Sequence, residues 1–156
     1  MNKLVSIITP SYNSSKFIEE CIDSVISQTF KNWEMIIVDD CSNDNSREII
    51  SYLSTKDERL KSIFLEKNIG AAAARNIAIR EANGRYIAFL DSDDIWKADK
   101  LEKQIKFMNK KDIAFSFTSY QPISEGGETK YSVITAPDKM SYHSYLKNTI
   151  IGCLTV

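Results

Sequence analysis

Three aspartates stand close together after a short apolar run in the segment RYIAFLDSDDIW (residues 85–96): Asp91, Asp93 and Asp94. Carboxylates at such close range repel one another, so either solvent or a cation has to offset their charge. Alternate residues that leave an extended strand point the same way, so Asp91 and Asp93 are predicted to face one divalent cation, Mn²⁺ or Mg²⁺. Asp94 is interpreted instead as a cap of the helix that follows.

Polar residues also follow the first two apolar runs, which end in TPSYN (residues 9–13) and in Asp39-Asp40. Ligands of open parallel sheets collect at the carboxyl ends of the strands, so these residues should meet the aspartates at one edge. Backbone alternation sends Asp39 and Asp40 to opposite sides. One should hydrogen-bond inside the fold, while the other could accept a hydrogen bond from a nucleobase imide or a ribose hydroxyl. Tyr12 offers a ring on which a base could stack, and simple packing is an equally good interpretation.

The segment NIGAAAARN (residues 68–76) is typical of a helix that starts tightly and lies close to its neighbours. Gly70 permits a tight entry, and the alanines after it allow close approach. Arg75 then stands in an apolar helix near the same edge, where an unpaired guanidinium is costly. Asp40 or a bound nucleotide would serve as its partner. A structural ion pair and a direct ligand contact both remain open for this arginine.

The elements that must position these residues alternate between strand and helix. Buried strands are predicted over four apolar runs: Leu4–Thr9, Glu34–Val38, Leu60–Leu65 and Tyr86–Leu90. Helices are predicted over residues 15–28, over a segment carrying Ile49, Ile50 and Leu53 with Asn43 or Asp44 as its cap, and over 70–82 and 97–110. Such alternation at short spacing predicts an α/β fold, with a mainly parallel sheet covered by helices on both faces.

The pattern is less regular after Ile113. A strand is predicted over 113–120, a turn at 124–129 and a return strand over 131–135, then a short helix capped by Ser141. The final run IIGCLTV is apolar to the last residue, so we expect a chain truncated at its C-terminus. We expect one domain over 1–156, with residues 113–156 beginning a second half that is incomplete.

Composition excludes several classes of protein. A net charge of −1 over 156 residues gives no electrostatic case for a nucleic-acid partner. With the single histidine His143, a histidine-based metal site or a Ser/His/Asp triad is almost excluded. Cys21 and Cys153 are predicted to be buried thiols in a reducing compartment. No apolar stretch reaches the ~18 residues of a membrane span, so a cytoplasmic protein is expected.

The four motifs VSIITPSYN, SVISQTFKNWEMIIVDDCSND, NIGAAAARN and RYIAFLDSDDIW resemble glycosyltransferase family 2 enzymes in order and spacing, over residues 4 to about 110. The resemblance implies a Rossmann-like fold of the GT-A type that binds a nucleotide-diphosphate sugar, usually a UDP-sugar, with a divalent metal. It also implies transfer to a hydroxyl of a saccharide or lipid-linked acceptor, with inversion, in surface polysaccharide or lipid-linked oligosaccharide assembly. It further implies one nucleotide-sugar-binding domain over 1–156, in which residues 1–112 form the donor-binding half and residues 113–156 begin an incomplete acceptor-side half. A homodimer and a peripheral position at the inner membrane face are further expectations.

The resemblance also implies roles for single residues. The base-binding pocket of the family corresponds to Pro10, Tyr12, Asp40 and Arg75. Its D-x-D motif corresponds to Asp91-Ser92-Asp93, with Asp91 near ribose and metal and Asp93 on the metal. In similar enzymes a carboxylate base follows the acceptor-side segment, which here places it C-terminal to Val156. No catalytic residue is therefore named, and this chain is expected to be a poor or inactive transferase.

Other functions remain as alternatives or are disfavoured. A dinucleotide-dependent dehydrogenase would need G-x-G-x-x-G after a strand, and the sequence has no such motif. A receiver domain needs its acidic pair on the first strand, which here ends in TPSYN. A non-catalytic nucleotide- or sugar-binding module is the serious alternative, because it would keep Tyr12 and the aspartates without a base.

Overall fold

The computed structural model describes residues 4–129, 131–141, 143 and 151–156. Strands and α-helices alternate through residues 5–111 of these ranges: β1 Val5–Ser11, α1 Ile18–Ile26, β2 Trp33–Asp39, α2 Ser46–Ser54, β3 Leu60–Phe64, α3 Ala71–Arg80, β4 Tyr86–Phe89 and α4 Lys100–Lys111. This order confirms the predicted alternation, and the boundaries differ from the predicted ones by a few residues at most.

The strands form one sheet in the order β3-β2-β1-β4, and each of its pairings is parallel. β1 pairs with β2 from Val5 opposite Trp33 to Ser11 opposite Asp39. Parallel strands end at the same side of a sheet, so Ser11, Asp39 and the end of β4 at Phe89 mark one edge, called the carboxyl edge below. This is the edge at which the sequence predicts a site.

Helices cover both faces of the sheet, as the continuous apolar runs predict. On one face, α1, α2 and α4 pack against alternate strand residues such as Ile7 and Ile37. On the other face, Ala74 and Ala78 of α3 pack against a smaller set that includes Ile8. The small side chains of α3 let this helix lie close to the sheet.

The prediction of two strands after α4, over 113–120 and 131–135, is wrong. Only isolated antiparallel bridges occur in the part of this region that the structure describes: Tyr120 with Ile134 and Ile123 with Thr129. The turn expected at 124–129 is present, since Gly127 N donates to Ser124 O at 2.9 Å. The alternation of residue types indicated strands, but continuous hydrogen bonding also needs a partner strand.

The final apolar run is described from residue 151 to residue 156. Cys153–Thr155 forms a short 3-10 helix. This end is attached to the loop before α4, where Trp96 Nε1 donates to Leu154 O at 2.9 Å, and to α4 itself, where Gln104 Nε2 donates to Thr155 O at 3.2 Å. The helix predicted after Ser141 falls on residues outside the described part of the chain. The expected division into donor-side and acceptor-side halves stays a prediction.

The two cysteines predicted to be buried differ in the structure. Cys21 is buried in the core beside α1, which confirms one prediction. Cys153 is exposed at the start of the short 3-10 helix, so the prediction that it is buried is wrong. Among the helices of the described residues, none combines the length and the hydrophobicity that crossing a bilayer requires.

Candidate functional site

A cavity of about 450 Å³ opens at the carboxyl edge, beside the ends of β1, β2 and β4. Four separate parts of the chain form its wall: Pro10, Ser11 and Tyr12; Asp40; Asn68, Gly70, Ala71 and Arg75; and Asp91, Ser92 and Asp93. Every residue that the sequence predicts to bind nucleotide or metal therefore lines one cavity. Their roles in binding stay predictions.

The chain turns after β4 instead of continuing as an extended strand. β4 ends at Phe89, and the backbone N–H of Asp94 donates to Asp91 O at 3.1 Å. The extended geometry predicted for Asp91 and Asp93 is therefore wrong, although both residues line the cavity. The capping role predicted for Asp94 is also wrong, because α4 begins at Lys100, well beyond the turn.

Arg75 forms an ion pair with Asp91 through Nη2 and Oδ1. The pairing with Asp40 that the sequence suggested is therefore wrong, because α3 directs Arg75 towards the end of β4. Both partners keep contact with solvent, with 24% of the Arg75 side chain and 32% of the Asp91 side chain exposed. Arg75 Nε is buried and has no hydrogen-bond partner among the described residues. The guanidinium thus keeps an N–H that a ligand could satisfy.

Asp40 joins the end of β2 to the start of α3. Its carboxylate accepts the backbone N–H groups of Ile69 and Gly70, each at 2.8 Å. Asn68 Nδ2 donates to Asp40 O at 3.1 Å. Gly70 has φ of 86°, which glycine adopts easily and other residues rarely do. Asp40 is thereby fixed on the cavity wall, and its oxygens keep lone pairs for a further donor.

Asp39 is turned into the fold, as alternation predicts for one of the two aspartates. It is fully buried and accepts hydrogen bonds from Ser42 N at 3.1 Å and from Ser42 Oγ. Arg47 Nε donates to it at 2.8 Å, and Arg47 Nη2 donates to Leu65 O. Asp39 therefore connects β2, α2 and the end of β3.

Tyr12 is 48% exposed, so its ring is not part of the buried core, and both stacking on a base and simple packing stay predictions. Its position on the cavity wall leaves the ring open to a flat ligand. The neighbouring Pro10 is buried within β1 and contributes a rigid part of the same wall.

Negative charge accumulates in the turn after β4. Burial, and then the charges of Asp93 and Asp91, raise the pKa of Asp94 to about 6. Bound cations relieve such repulsion, and hard divalent cations prefer oxygen ligands. No three or more His, Cys, Asp or Glu side chains surround a common metal position in the described ranges. Asp91 and Asp93 nevertheless fit an ion that completes its shell with phosphate and water, as Mg²⁺ commonly does.

Among the polar residues of the cavity wall that sequence reasoning did not assign to binding are Asn68 and Ser92. Both stand inside segments that the sequence singles out, so a signal was present. Asn68 opens the NIGAAAARN segment. The hydrogen bond that its side-chain amide donates to Asp40 O depends on a loop geometry that spacing along the sequence does not reveal. Arg47, the partner of Asp39, was missed for the same reason.

Residues 6–154 match the family model described as Glycosyl transferase family 2. The teichuronic acid biosynthesis glycosyltransferase TuaG, so named in Bacillus subtilis (strain 168), is 54% identical over 98% of this chain and 61% of its own length. WfgD of Escherichia coli, named a UDP-Glc:alpha-D-GlcNAc-diphosphoundecaprenol beta-1,3-glucosyltransferase, is 49% identical over 98% of this chain and 59% of its own length. The chain thus spans about three fifths of the length of these relatives.

Solved structures share the fold. Staphylococcus aureus TarS 1–349 in complex with UDP superposes with a TM-score of 0.64 and 36% identity, over 68% of this chain and 32% of that chain. The mannosyltransferase PcManGT of Pyrobaculum calidifontis, in complex with GDP-Man and Mn²⁺, gives a TM-score of 0.63 and 26% identity, over 74% and 33%. The parallel sheet with helices on both faces is the expected GT-A type fold, and the chain belongs to glycosyl transferase family 2.

Proposed function

We propose that this chain is the donor-binding part of a glycosyltransferase that moves a sugar from a UDP-sugar to a hydroxyl of a saccharide or lipid-linked acceptor. One observation carries the proposal. A single cavity combines an exposed aromatic ring, an anchored carboxylate, an arginine and a pair of aspartates, from four separate parts of the chain. Each group suits a different part of a nucleotide sugar.

The wall formed by Tyr12 and Asp40 is suited to the base. The exposed Tyr12 ring offers a stacking surface, and stacking does not depend on base identity. The Asp40 carboxylate is held by two backbone N–H groups and can accept a further hydrogen bond from the ring N–H of uracil. Together they favour a nucleotide whose base carries a ring N–H.

The opposite wall is suited to the diphosphate. Arg75 offers a guanidinium to phosphate oxygens, which it matches well in geometry and charge. Asp91 and Asp93 would hold a Mn²⁺ or Mg²⁺ ion between the protein and the diphosphate. Such an ion, when bound, neutralises the charge that develops on the departing diphosphate. Diphosphate binding therefore calls for Arg75 to exchange part of its contact with Asp91 for phosphate.

The proposed reaction is a direct displacement with inversion. The acceptor oxygen forms a bond to the anomeric carbon while the bond from that carbon to the diphosphate oxygen breaks. A base must take the proton of the acceptor hydroxyl. The cavity carboxylates serve other purposes in this proposal: Asp40 holds backbone amides, Asp91 pairs with Arg75, and Asp93 faces the metal. We therefore propose that the base comes from a part of the protein beyond Val156.

The names of related proteins support a nucleotide-sugar donor. TarS is titled as a complex with UDP and, in a separate structure, with UDP-GlcNAc. PcManGT is titled with GDP-Man and Mn²⁺. The name of WfgD specifies UDP-Glc as donor and a diphosphoundecaprenol-linked acceptor. Activity, acceptor and any homodimer belong to the whole protein and are proposals for this chain.

Calorimetry with UDP, in the presence and absence of Mn²⁺, tests the proposal. We expect Mn²⁺ to strengthen UDP binding, and we expect Asp91→Ala or Asp93→Ala to remove this dependence while the fold is retained. Tyr52, an exposed residue of α2 that does not line the donor cavity, supplies Tyr52→Ala as a control that should bind as the unchanged chain does. UDP binding that is identical with and without Mn²⁺ in all variants would contradict the metal role. Metal-independent binding of free sugars, without UDP binding, would favour the non-catalytic module.

A product assay separates binding from transfer. The chain is expected to bind UDP-sugar with metal but to yield little or no transferred sugar. Robust and verified sugar transfer by the 156 residues alone would show that the base lies within them.

A further inference from the structure

Three consecutive backbone N–H groups follow Tyr12, and each donates to a side chain in the loop between β2 and α2 or at the first residue of α2. Asn13 N donates to Ser42 Oγ at 2.9 Å, and Ser14 N donates to Ser46 Oγ at 2.9 Å. Ser15 N donates to Asp44 Oδ2 at 3.0 Å. The acceptors alternate along the sequence, in the pattern S-x-D-x-S. None of these side chains lines the donor cavity.

Asp44 is the centre of this arrangement. Its Oδ1 accepts hydrogen bonds from Ser46 N, at 3.0 Å, and from the Ser46 hydroxyl. The same hydroxyl oxygen accepts a hydrogen bond from Ser14 N. Burial opposes the charge of Asp44, but the hydrogen bonds donated by Ser46 and Ser15 outweigh it and lower its pKa to about 2. Asp44 is therefore a charged acceptor that serves both loops at neutral pH. The prediction that Asn43 or Asp44 caps α2 is wrong, because Asn45 occupies the cap position. Asp44 instead accepts the backbone N–H of Ser46 from one residue before the cap.

The backbone of Asn13 makes the position of Tyr12 depend on these contacts. Asn13 has φ of 49°, in the left-handed region that non-glycine residues seldom adopt. Its side chain adds a further tie, since Asn43 N donates to Asn13 Oδ1 at 2.8 Å. Because the Tyr12 side chain is half exposed, the backbone on either side of it is what sets the direction in which the side chain leaves the chain.

We infer that Asp44, acting with Ser42 and Ser46, is a positioning residue that holds Tyr12 at the angle needed to stack on the nucleotide base. The inference rests on the proposed function, because it assumes that a base enters the cavity. Asp44 contacts no ligand in this account. It acts through the backbone of residues 13–15, and its loss should affect recognition of the base without affecting recognition of the diphosphate.

A double-mutant cycle tests this chain of contacts. UDP and inorganic pyrophosphate are titrated with Mn²⁺ into the unchanged chain, Asp44→Ala, Tyr12→Ala and the double variant. Loss of one base–aromatic stack corresponds to weakening of about 5- to 160-fold, which we expect for UDP with Tyr12→Ala. Asp44→Ala should weaken UDP within that range and should add less than about twofold once Tyr12 is alanine. Pyrophosphate affinity should be unchanged throughout.

Control variants separate positioning from general destabilisation. Glu34 is a buried carboxylate at the opposite end of the sheet that also accepts several hydrogen bonds, so Glu34→Gln should lower stability without weakening UDP binding. Asp44→Asn keeps one acceptor oxygen and should bind UDP between the unchanged chain and Asp44→Ala. If Asp44→Ala does not fold, Ser46→Ala replaces it, since that change removes the acceptor of Ser14 N and one hydrogen bond to Asp44 but keeps the Asp44 carboxylate. Amide hydrogen exchange at residues 13–15 should become faster in the variant used.

Each outcome decides the inference. The inference would be overturned if Asp44→Ala weakened UDP binding by the same factor whether position 12 is tyrosine or alanine. It would also be overturned if Asp44→Ala weakened UDP binding and pyrophosphate binding equally. Unchanged exchange at residues 13–15, or unchanged UDP affinity, would overturn it too. A chain that binds UDP but is insensitive to Asp44→Ala leaves the proposed function standing. A chain that binds no UDP removes the proposed function and this inference together.

Discussion

Glu34→Gln should lower the stability of the fold by an amount that depends on pH. Glu34 lies in β2, at the end of the sheet away from the cavity, and is buried. Its carboxylate accepts Ser6 Oγ at 2.6 Å, Asn83 N at 2.7 Å and Lys61 Nζ at 2.7 Å. Burial would raise the pKa of Glu34, but the bonds from Lys61, Ser6 and Asn83 outweigh it and lower the pKa from 4.5 to about 2.

The magnitude follows from that pKa. One pH unit of difference between folded and unfolded pKa corresponds to about 1.4 kcal/mol, so the ionised Glu34 contributes at most about 3 kcal/mol. A pKa that folding depresses gives stability that is present above the unfolded value, near 4.5, and is lost as pH falls towards 2. Glutamine keeps one acceptor oxygen, and Lys61 is partly exposed to solvent, so we expect a loss of about 1–3 kcal/mol at pH 7.

Urea unfolding followed by circular dichroism, at pH 7 and at pH 3, measures the effect. The difference in unfolding free energy between the unchanged chain and Glu34→Gln should be largest at pH 7 and should shrink at pH 3. Comparing the two chains at each pH cancels the titration of other groups. Glu19→Gln, on the exposed side of α1, should change stability by less than about 0.5 kcal/mol. A Glu34→Gln difference that is the same at both pH values would refute the reasoning.

Further predictions concern both ends of the sheet. Gly84→Ala should destabilise the fold by about 1–3 kcal/mol in thermal unfolding, because the added Cβ would lie 2.6 Å from Ser6 N. Gly126→Ala is the control and should be nearly neutral, because the nearest atom to its added Cβ would be 3.9 Å away. Asp93→Asn should weaken Mn²⁺-dependent UDP binding by at least about tenfold, because even the loss of a residue that only supports a metal ligand weakens metal binding about that much. The same variant should leave metal-free UDP binding nearly unchanged in calorimetry. Arg75→Met should weaken pyrophosphate binding, and unchanged binding would count against a diphosphate role.

The central sheet could be predicted because its sequence signal is local. The runs around Ile7 and Ile37 consist of branched and apolar residues, and such continuous runs occur in strands that helices cover on both faces. The region after α4 lacks this support. Residues 113–120 alternate in polarity as a strand does, yet the structure forms only an isolated bridge at Tyr120. A strand needs a partner as well as a pattern, and the sequence of the strand does not specify the partner.

The sequence was sufficient to predict which residues line the cavity, but not which of their side chains form ion pairs with one another. The rule that parallel strands end together was sufficient to gather Tyr12, Asp40, Asp91 and Asp93 on one cavity wall. The choice of Asp91 over Asp40 as partner of Arg75 depends on how α3 is placed relative to β4. That placement results from side-chain packing across the sheet, which spacing along the chain does not contain.

Polar side chains at the loop between β2 and α2 illustrate a second limit. Ser42, Asp44 and Ser46 read as ordinary loop and cap residues, because serine and aspartate commonly bond to nearby backbone. In the structure they accept N–H groups from the loop after β1, about thirty positions earlier in the chain. Local propensity predicted that these residues would accept hydrogen bonds, but not which donors would supply them.

The two ends of the sheet differ in how completely their charges are satisfied, and this difference indicates where the fold is stabilised and where it binds. At the Glu34 end, carboxylate, hydroxyl and backbone groups bond to one another inside the protein. At the carboxyl edge, Arg75 Nε lacks a partner in the described structure, and Asp94 has its pKa raised to about 6 by burial and by Asp93 and Asp91. Buried polar atoms without a partner also occur elsewhere in the described part of the chain, Trp33 Nε1 among them, so the repulsion among the aspartates is the feature that marks the carboxyl edge as a binding site. A metal-bound nucleotide supplies a cation for the aspartates and further phosphate oxygens for Arg75, which already pairs with Asp91. Binding of either component should therefore favour binding of the other.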